Sequence, residues 1–140
     1  MLRKVRPGLI IKGVLSGEIQ LTNGSIVNEA CCTDIHNVYK SLVKSENIKR
    51  KSLGKRPLHG MTVNSFVRLM AFARLLGLIE FAREEPFRGH GGPLYRVDKS
   101  DRVITAKVVQ RRLYRLTDKG KDELTMWDDL TTAYKKSLIA

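Results

Sequence analysis

Side chains able to do covalent chemistry are few in this 140-residue chain, and their spacing does not suit it. The three histidines, His36, His59 and His90, are scattered. None stands near a carboxylate at zinc-hydrolase spacing, and no G-x-S-x-G or paired-carboxylate motif occurs. Cys31 and Cys32 are adjacent, which matches no C-x-x-C metal pair and gives no disulfide framework. Cys32 and His36 are four apart, yet one Cys and one His do not complete a zinc site. Ser52-Leu53-Gly54-Lys55-Arg56 lacks both the upstream glycine of a phosphate loop and a hydroxyl residue after the lysine. The expectation is a chain that is no enzyme, holds no metal or cofactor, and acts by binding.

The chemistry that the residues do offer is that of cations. Against 14 Asp and Glu stand 26 Lys and Arg, giving a formal net charge of +12 and a pI near 10.1. Such a balance suits a polyanion, because each Lys or Arg placed on a phosphate releases condensed counterions. An anionic membrane surface would accept it too. The charge is unevenly spread: residues 1–115 hold 22 basic and 9 acidic residues, a net of +13, and residues 116–140 hold 4 and 5, a net of −1. Within the basic part, the run 47–60 carries Lys49, Arg50, Lys51, Lys55 and Arg56 and no acid.

No apolar run approaches the roughly 18 residues of a membrane span, and the N-terminus has neither a sustained apolar stretch nor a small-residue cleavage site. These features predict a soluble, cytoplasmic protein with reduced thiols.

The elements that must position these cations follow from periodicity. Residues 1–24, with Gly8, Gly13, Gly17 and Gly24 among short apolar pieces, predict a basic arm or hairpin. Three- and four-residue spacing from Ile26 to Val43 predicts an amphipathic helix over 25–46, either continuous or broken near Thr33 and Asp34 with Asp34 capping a second helix, followed by the basic stretch 47–60 as a loop. A second helix is predicted over 62–76, capped by Thr62 and stopped by Gly77. It turns Phe66, Leu69, Met70, Ala73 and Leu76 to one side and Asn64, Ser65, Arg68 and Ala71 to the other. Alternation then predicts strands from Ile79 to Arg83 and from Arg111 to Leu116, around a long excursion with short strands of its own near 94–97 and 103–109. A last helix, capped by Thr117, runs to about Ser137 with Leu124, Trp127, Leu130, Tyr134 and Leu138 at helical spacing.

Two stretches resemble a known family. Leu76-Gly77-Leu78-Ile79-Glu80, after the helix 62–76, and Tyr114-Arg115-Leu116-Thr117-Asp118-Lys119-Gly120, before the last helix, resemble the winged helix-turn-helix regulators of the multiple-antibiotic-resistance, phenolic-acid-decarboxylase and arsenical-resistance repressor types. The likeness covers about residues 34–138. It implies an α+β winged helix with an extended wing: a DNA-binding domain over 25–116, preceded by the arm and followed by a C-terminal helix over 117–140. Both the basic loop and the segment 84–110 are longer than the family's usual connection and wing.

The resemblance further implies that the helix 62–76 enters the major groove of duplex DNA, with Asn64, Ser65 and Arg68 near base edges. Lys49, Arg50, Lys51, Lys55 and Arg56 would then lie on flanking phosphates. Arg83, Arg88, Arg96, Arg102, Lys107, Arg111 and Arg112 would carry the wing to the backbone or minor groove. The terminal stripe Leu124, Trp127, Leu130, Tyr134 and Leu138 is the expected homodimer interface, with packing inside the domain as the competing reading. Alternative partners are structured RNA or a ribosome, and an architectural role with little sequence preference. RNA is the less favoured, since only 6% of residues are aromatic and RNA readers expose stacking rings.

Overall fold

The clearest element forms for local reasons. Helix α3 (Val63–Leu75) begins where the Thr62 hydroxyl accepts the Ser65 amide at 3.2 Å, satisfying one of the free donors of the first turn. It ends in a paired closure: Gly77 N–H donates to the Arg74 carbonyl at 2.9 Å and Leu78 N–H to that of Ala73 at 3.0 Å. That closure requires a left-handed residue, and Gly77 sits at φ +79°.

A computed structural model of the chain describes residues 5–87, 95–97, 103–105 and 109–139. The fold is α+β. In chain order it comprises α1 (Pro7–Leu15), α2 (Cys32–Ser52), α3, β1 (Ile79–Phe87), β2 (Tyr95–Val97), β3 (Val103–Thr105), β4 (Val109–Leu116), α4 (Asp118–Asp122), α5 (Leu124–Asp128) and α6 (Leu130–Ile139). β1 and β4 form an antiparallel ribbon in register from Ile79↔Leu116 to Phe87↔Val109, with a bulge at Ala82. β2 and β3 pair separately, Arg96 opposite Ile104. Ala30 adds an isolated bridge to Tyr114 on the free edge of β4, donating its amide at 3.1 Å and accepting that of Tyr114 at 2.9 Å.

Three sequence expectations are corrected. The N-terminal arm or hairpin is instead the helix α1, with Pro7 in its first turn and Ile10, Ile11, Val14 and Leu15 in the core. Its glycines are contact residues and do not break the helix: a Cβ on Gly8 would overlap the Trp127 carbonyl, so α1 lies flush against α5. The helix expected from Ser25 starts only at Cys32. Upstream, Asn23 Oδ1 accepts the Ser25 amide at 2.9 Å in a tight turn, and the chain runs extended through the Ala30 bridge. The single terminal helix is three short ones, interrupted at Glu123 (ψ 60°) and Asp129.

One apolar cluster joins α1, α2, α3, the start of β1, the end of β4, and α5 with the start of α6. Trp127, Phe66, Ile10, Ile11, Ile35, Leu69, Leu78, Ile79 and Leu130 are completely or almost completely enclosed. At about 1.5–3 kcal/mol for each large side chain removed from water, the four apolar residues of α1 are as much part of the stability as the helices around them.

Candidate nucleic-acid interface

The outer face of α3 is free of acids and exposes Asn64, Arg68, Ala71 and Arg74, together with Val63, Val67 and Leu75. Asn64 and Arg68 therefore lie where the sequence predicts. Ser65 does not stand free beside them. It is half-buried, its amide is the capping donor, and its hydroxyl accepts from the Thr62 hydroxyl at 3.2 Å. A cleft of about 500 Å³ lies along the flank of this face, lined by Cys32, Val67, Met70, Ala71, Arg74, Leu75 and Tyr114.

The basic stretch 47–60 is not one loop. Helix α2 continues to Ser52, so Lys49, Arg50 and Lys51 occupy its last turns and point to different sides, about 100° apart for each step. Arg50 turns inward: it pairs with Glu46 at 3.5 Å and donates to the Arg56 carbonyl at 3.2 Å. Charged residues such as Lys and Arg are good helix formers, and nothing in the run stops a helix before Gly54, at φ +69°.

The connection from α2 to α3 is fastened along its length. Asn47 holds Leu58 through two hydrogen bonds, the Tyr39 hydroxyl accepts the Met61 amide at 3.2 Å, and His36 Nε2 donates to the Met61 carbonyl at 2.9 Å. His36, Tyr39 and Phe66 pack ring against ring behind these bonds, with centroids 5.1–6.1 Å apart. Lys55 and Arg56 are thus carried on a fixed strap, and both are exposed.

On the ribbon the cations are engaged. Glu80 faces Arg115, Glu84 faces Arg112 and Glu85 faces Arg111 across the two strands, and all three are ion pairs. Arg111 also reaches Asp34 at 3.1 Å, while Arg83 joins Glu29 at 3.0 Å and Glu85 at 3.3 Å. Glu29, Arg83, Glu85, Arg111 and Asp34 form one chain of alternating charge that ties the extended segment and the start of α2 to the ribbon. Arg83, Arg111 and Arg112, expected as phosphate contacts, are thus each already paired with a carboxylate in the fold. Arg88, Arg102 and Lys107 lie outside the described residues, and Arg96 is placed in β2 by its backbone alone.

The stripe expected at a dimer interface is divided by the helix breaks. Trp127 and Leu130 are fully enclosed, and the Trp127 indole N–H donates to the Gly120 carbonyl at 2.7 Å. Tyr134 packs on Phe72 of α3 with centroids 5.5 Å apart. Leu124 and Leu138 are exposed. For Trp127 and Leu130 the structure answers in favour of packing inside the domain.

Neither thiol is set up as a nucleophile. Burial pushes Cys31 upward, and burial with the neighbouring Cys31 pushes Cys32 up to about 12.

No protein-family model, curated protein or solved structure matches the chain.

Sequence reasoning missed Lys40, Lys44 and Arg74. All three are exposed, and none stands in an ion pair among the described residues. The signal for the lysines was their spacing with Lys51, at i, i+4 and i+11, which returns to one helix face. It was hidden because the apolar stripe of α2 drew the reading. Among the described residues no helix is long and apolar enough to cross a membrane.

Proposed function

We propose that the chain binds duplex DNA as a winged-helix protein and regulates transcription, with α3 in the major groove and the ribbon β1/β4 as the stem of the wing. The observation that carries this is the division of the positive charge. Arg83, Arg111, Arg112 and Arg115 on the ribbon are each offset by a carboxylate. Lys49, Lys51, Lys55, Arg56, Arg68 and Arg74 on α2, the strap and α3 have no carboxylate partner among the described residues. Unoffset cations around an acid-free helix face suit a groove walled by phosphates.

Element order supports the winged-helix form: helix, single bridging residue, two helices, then the antiparallel ribbon β1/β4 with the short pair β2/β3 between its strands in sequence, and the bridge on the outer edge of β4. Asn64, Arg68 and Arg74 are the exposed side chains of α3 able to bond two base-edge acceptors or a donor and an acceptor at once, and Asn64 and Arg68 lie nearest its N-terminal end. Among the Phe, Tyr and Trp side chains described, Phe81 is the one exposed ring, which favours DNA over an RNA partner held by stacking. A homodimer through the terminal helices would rest on Leu124, Leu138 and Ile139, the large apolar side chains exposed there.

Titration of labelled duplex DNA and duplex RNA at two salt concentrations tests the reading. Tighter binding to DNA, weakening steeply with salt, is expected; preference for RNA, or no binding at low salt, overturns it.

A further inference from the structure

Helix α2 carries a lysine row that runs on from the α3 site: Lys51 belongs to both, and Lys40 and Lys44 lie beyond it. Lys40, Lys44 and Lys51 fall within about 40° of one another around the helix and span about 16 Å along it. They border a groove of about 450 Å³ with Tyr39, Val43, Asn47, Ile48 and Gly60. A second groove, of about 470 Å³, shares Asn47 and Lys51 with the first and continues it past Gly54, Lys55 and Pro57. Neither groove has an acidic lining residue.

The two acids of α2 are spent elsewhere, Asp34 on Arg111 and Glu46 on Arg50. Lys40 and Lys44, one helical turn apart with no acid beside them, repel each other. A solvated helix surface ordinarily interleaves its signs; this one does not. The floor is fixed as well, because Asn47 is bound to Leu58, and Gly60 is two residues from the cap of α3.

We infer that the Lys40, Lys44, Lys51 and Lys55 face of α2 and its strap is a second phosphate-backbone site, which grips the duplex beside the segment that α3 enters and does so without regard to sequence. This rests on the duplex-DNA reading above. The row leads to the N-terminus of α3, so a single duplex can serve both surfaces.

The test is the salt dependence of duplex binding by the variant Lys40→Gln/Lys44→Gln/Lys51→Gln, whose side chains are exposed and outside the core. Its slope of log affinity against log salt should fall by about 3, near 0.9 for each phosphate that no longer has a cation on it. The fall in affinity should be equal for preferred and unrelated sequences. Lys121→Gln/Lys135→Gln/Lys136→Gln removes the same charge from α4 and α6 and should leave the slope nearly unchanged; the Lys→Arg triple at 40, 44 and 51 should retain it. An unchanged slope in the Gln triple, or an equal fall in the α4/α6 control, overturns the site. Absence of duplex-DNA binding by the unaltered chain overturns the underlying reading instead, so the two failures are distinguishable.

Discussion

Asn47 holds Leu58 at both of its backbone groups, accepting the amide at 2.6 Å and donating to the carbonyl at 3.2 Å. The side chain stands in for a neighbouring strand and turns the connection between α2 and α3 from a loop into a strap.

Asn47→Ala leaves two half-buried backbone groups without their partner. A loss of about 2 kcal/mol in urea unfolding is expected. Duplex affinity should fall as well, although Asn47 is not itself assigned a phosphate contact, since Lys55 and Arg56 would have to be ordered on binding.

Arg68→Ala and Lys49→Ala separate base reading from backbone contact. The first should reduce the preference between a selected site and unrelated DNA by about 1–3 kcal/mol. The second should weaken both alike and lower the salt slope by about 1. Binding to a panel of duplexes decides, and equal losses across sequences for Arg68→Ala would remove it from the reading face.

Trp127→Ala should cost about 3–5 kcal/mol, the range for emptying a large core site, with the Gly120 carbonyl also left unbonded. Leu138→Ser, at 66% exposure, should leave stability unchanged. Sedimentation across concentrations tests the homodimer with the second variant, in which the fold is intact. A monomer mass at every concentration in the unaltered protein rules the dimer out.

Cys32 adds an alkaline limit to stability. Its thiol stands at about 12 in the fold against an ordinary 9.0, so the folded chain holds that proton more tightly than the unfolded one. The stabilisation is complete below pH 9 and is lost as pH rises from there toward 12. Cys32→Ala should flatten unfolding curves over that window, and alkylation at about pH 8, just below the ordinary thiol range, should label the native protein far more slowly than the urea-unfolded one.

How much the sequence revealed depended on whether the signal was local. Thr62 and Gly77 bound α3 because a cap and a left-handed stop act within a few residues, and Thr117 marked the start of α4 in the same way. The strands β1 and β4 were legible in their alternation, apart from the bulge at Ala82. Gly8 misled for the opposite reason, since its meaning is set by the Trp127 carbonyl, far off in sequence. The terminal stripe has the spacing of one helix, but Glu123 and Asp129 interrupt it, and Trp127 and Leu130 answer to α1. The cations of the ribbon could not be told from free ones, because their offsets depend on strand register and on Glu29 and Asp34.

The seating of α1 on α5 also governs when the molecule can finish folding. Arg6 and Asp128, paired at 2.9 Å, are 122 positions apart. Ile10, Ile11, Val14 and Leu15 precede α5 by most of the fold and cannot be covered by it until α5 has itself been synthesised. Loop closure over that distance comes late and makes folding slower than a helical bundle of local contacts would be. Until then the nascent chain carries an uncovered apolar segment, which is a natural holding point for a chaperone.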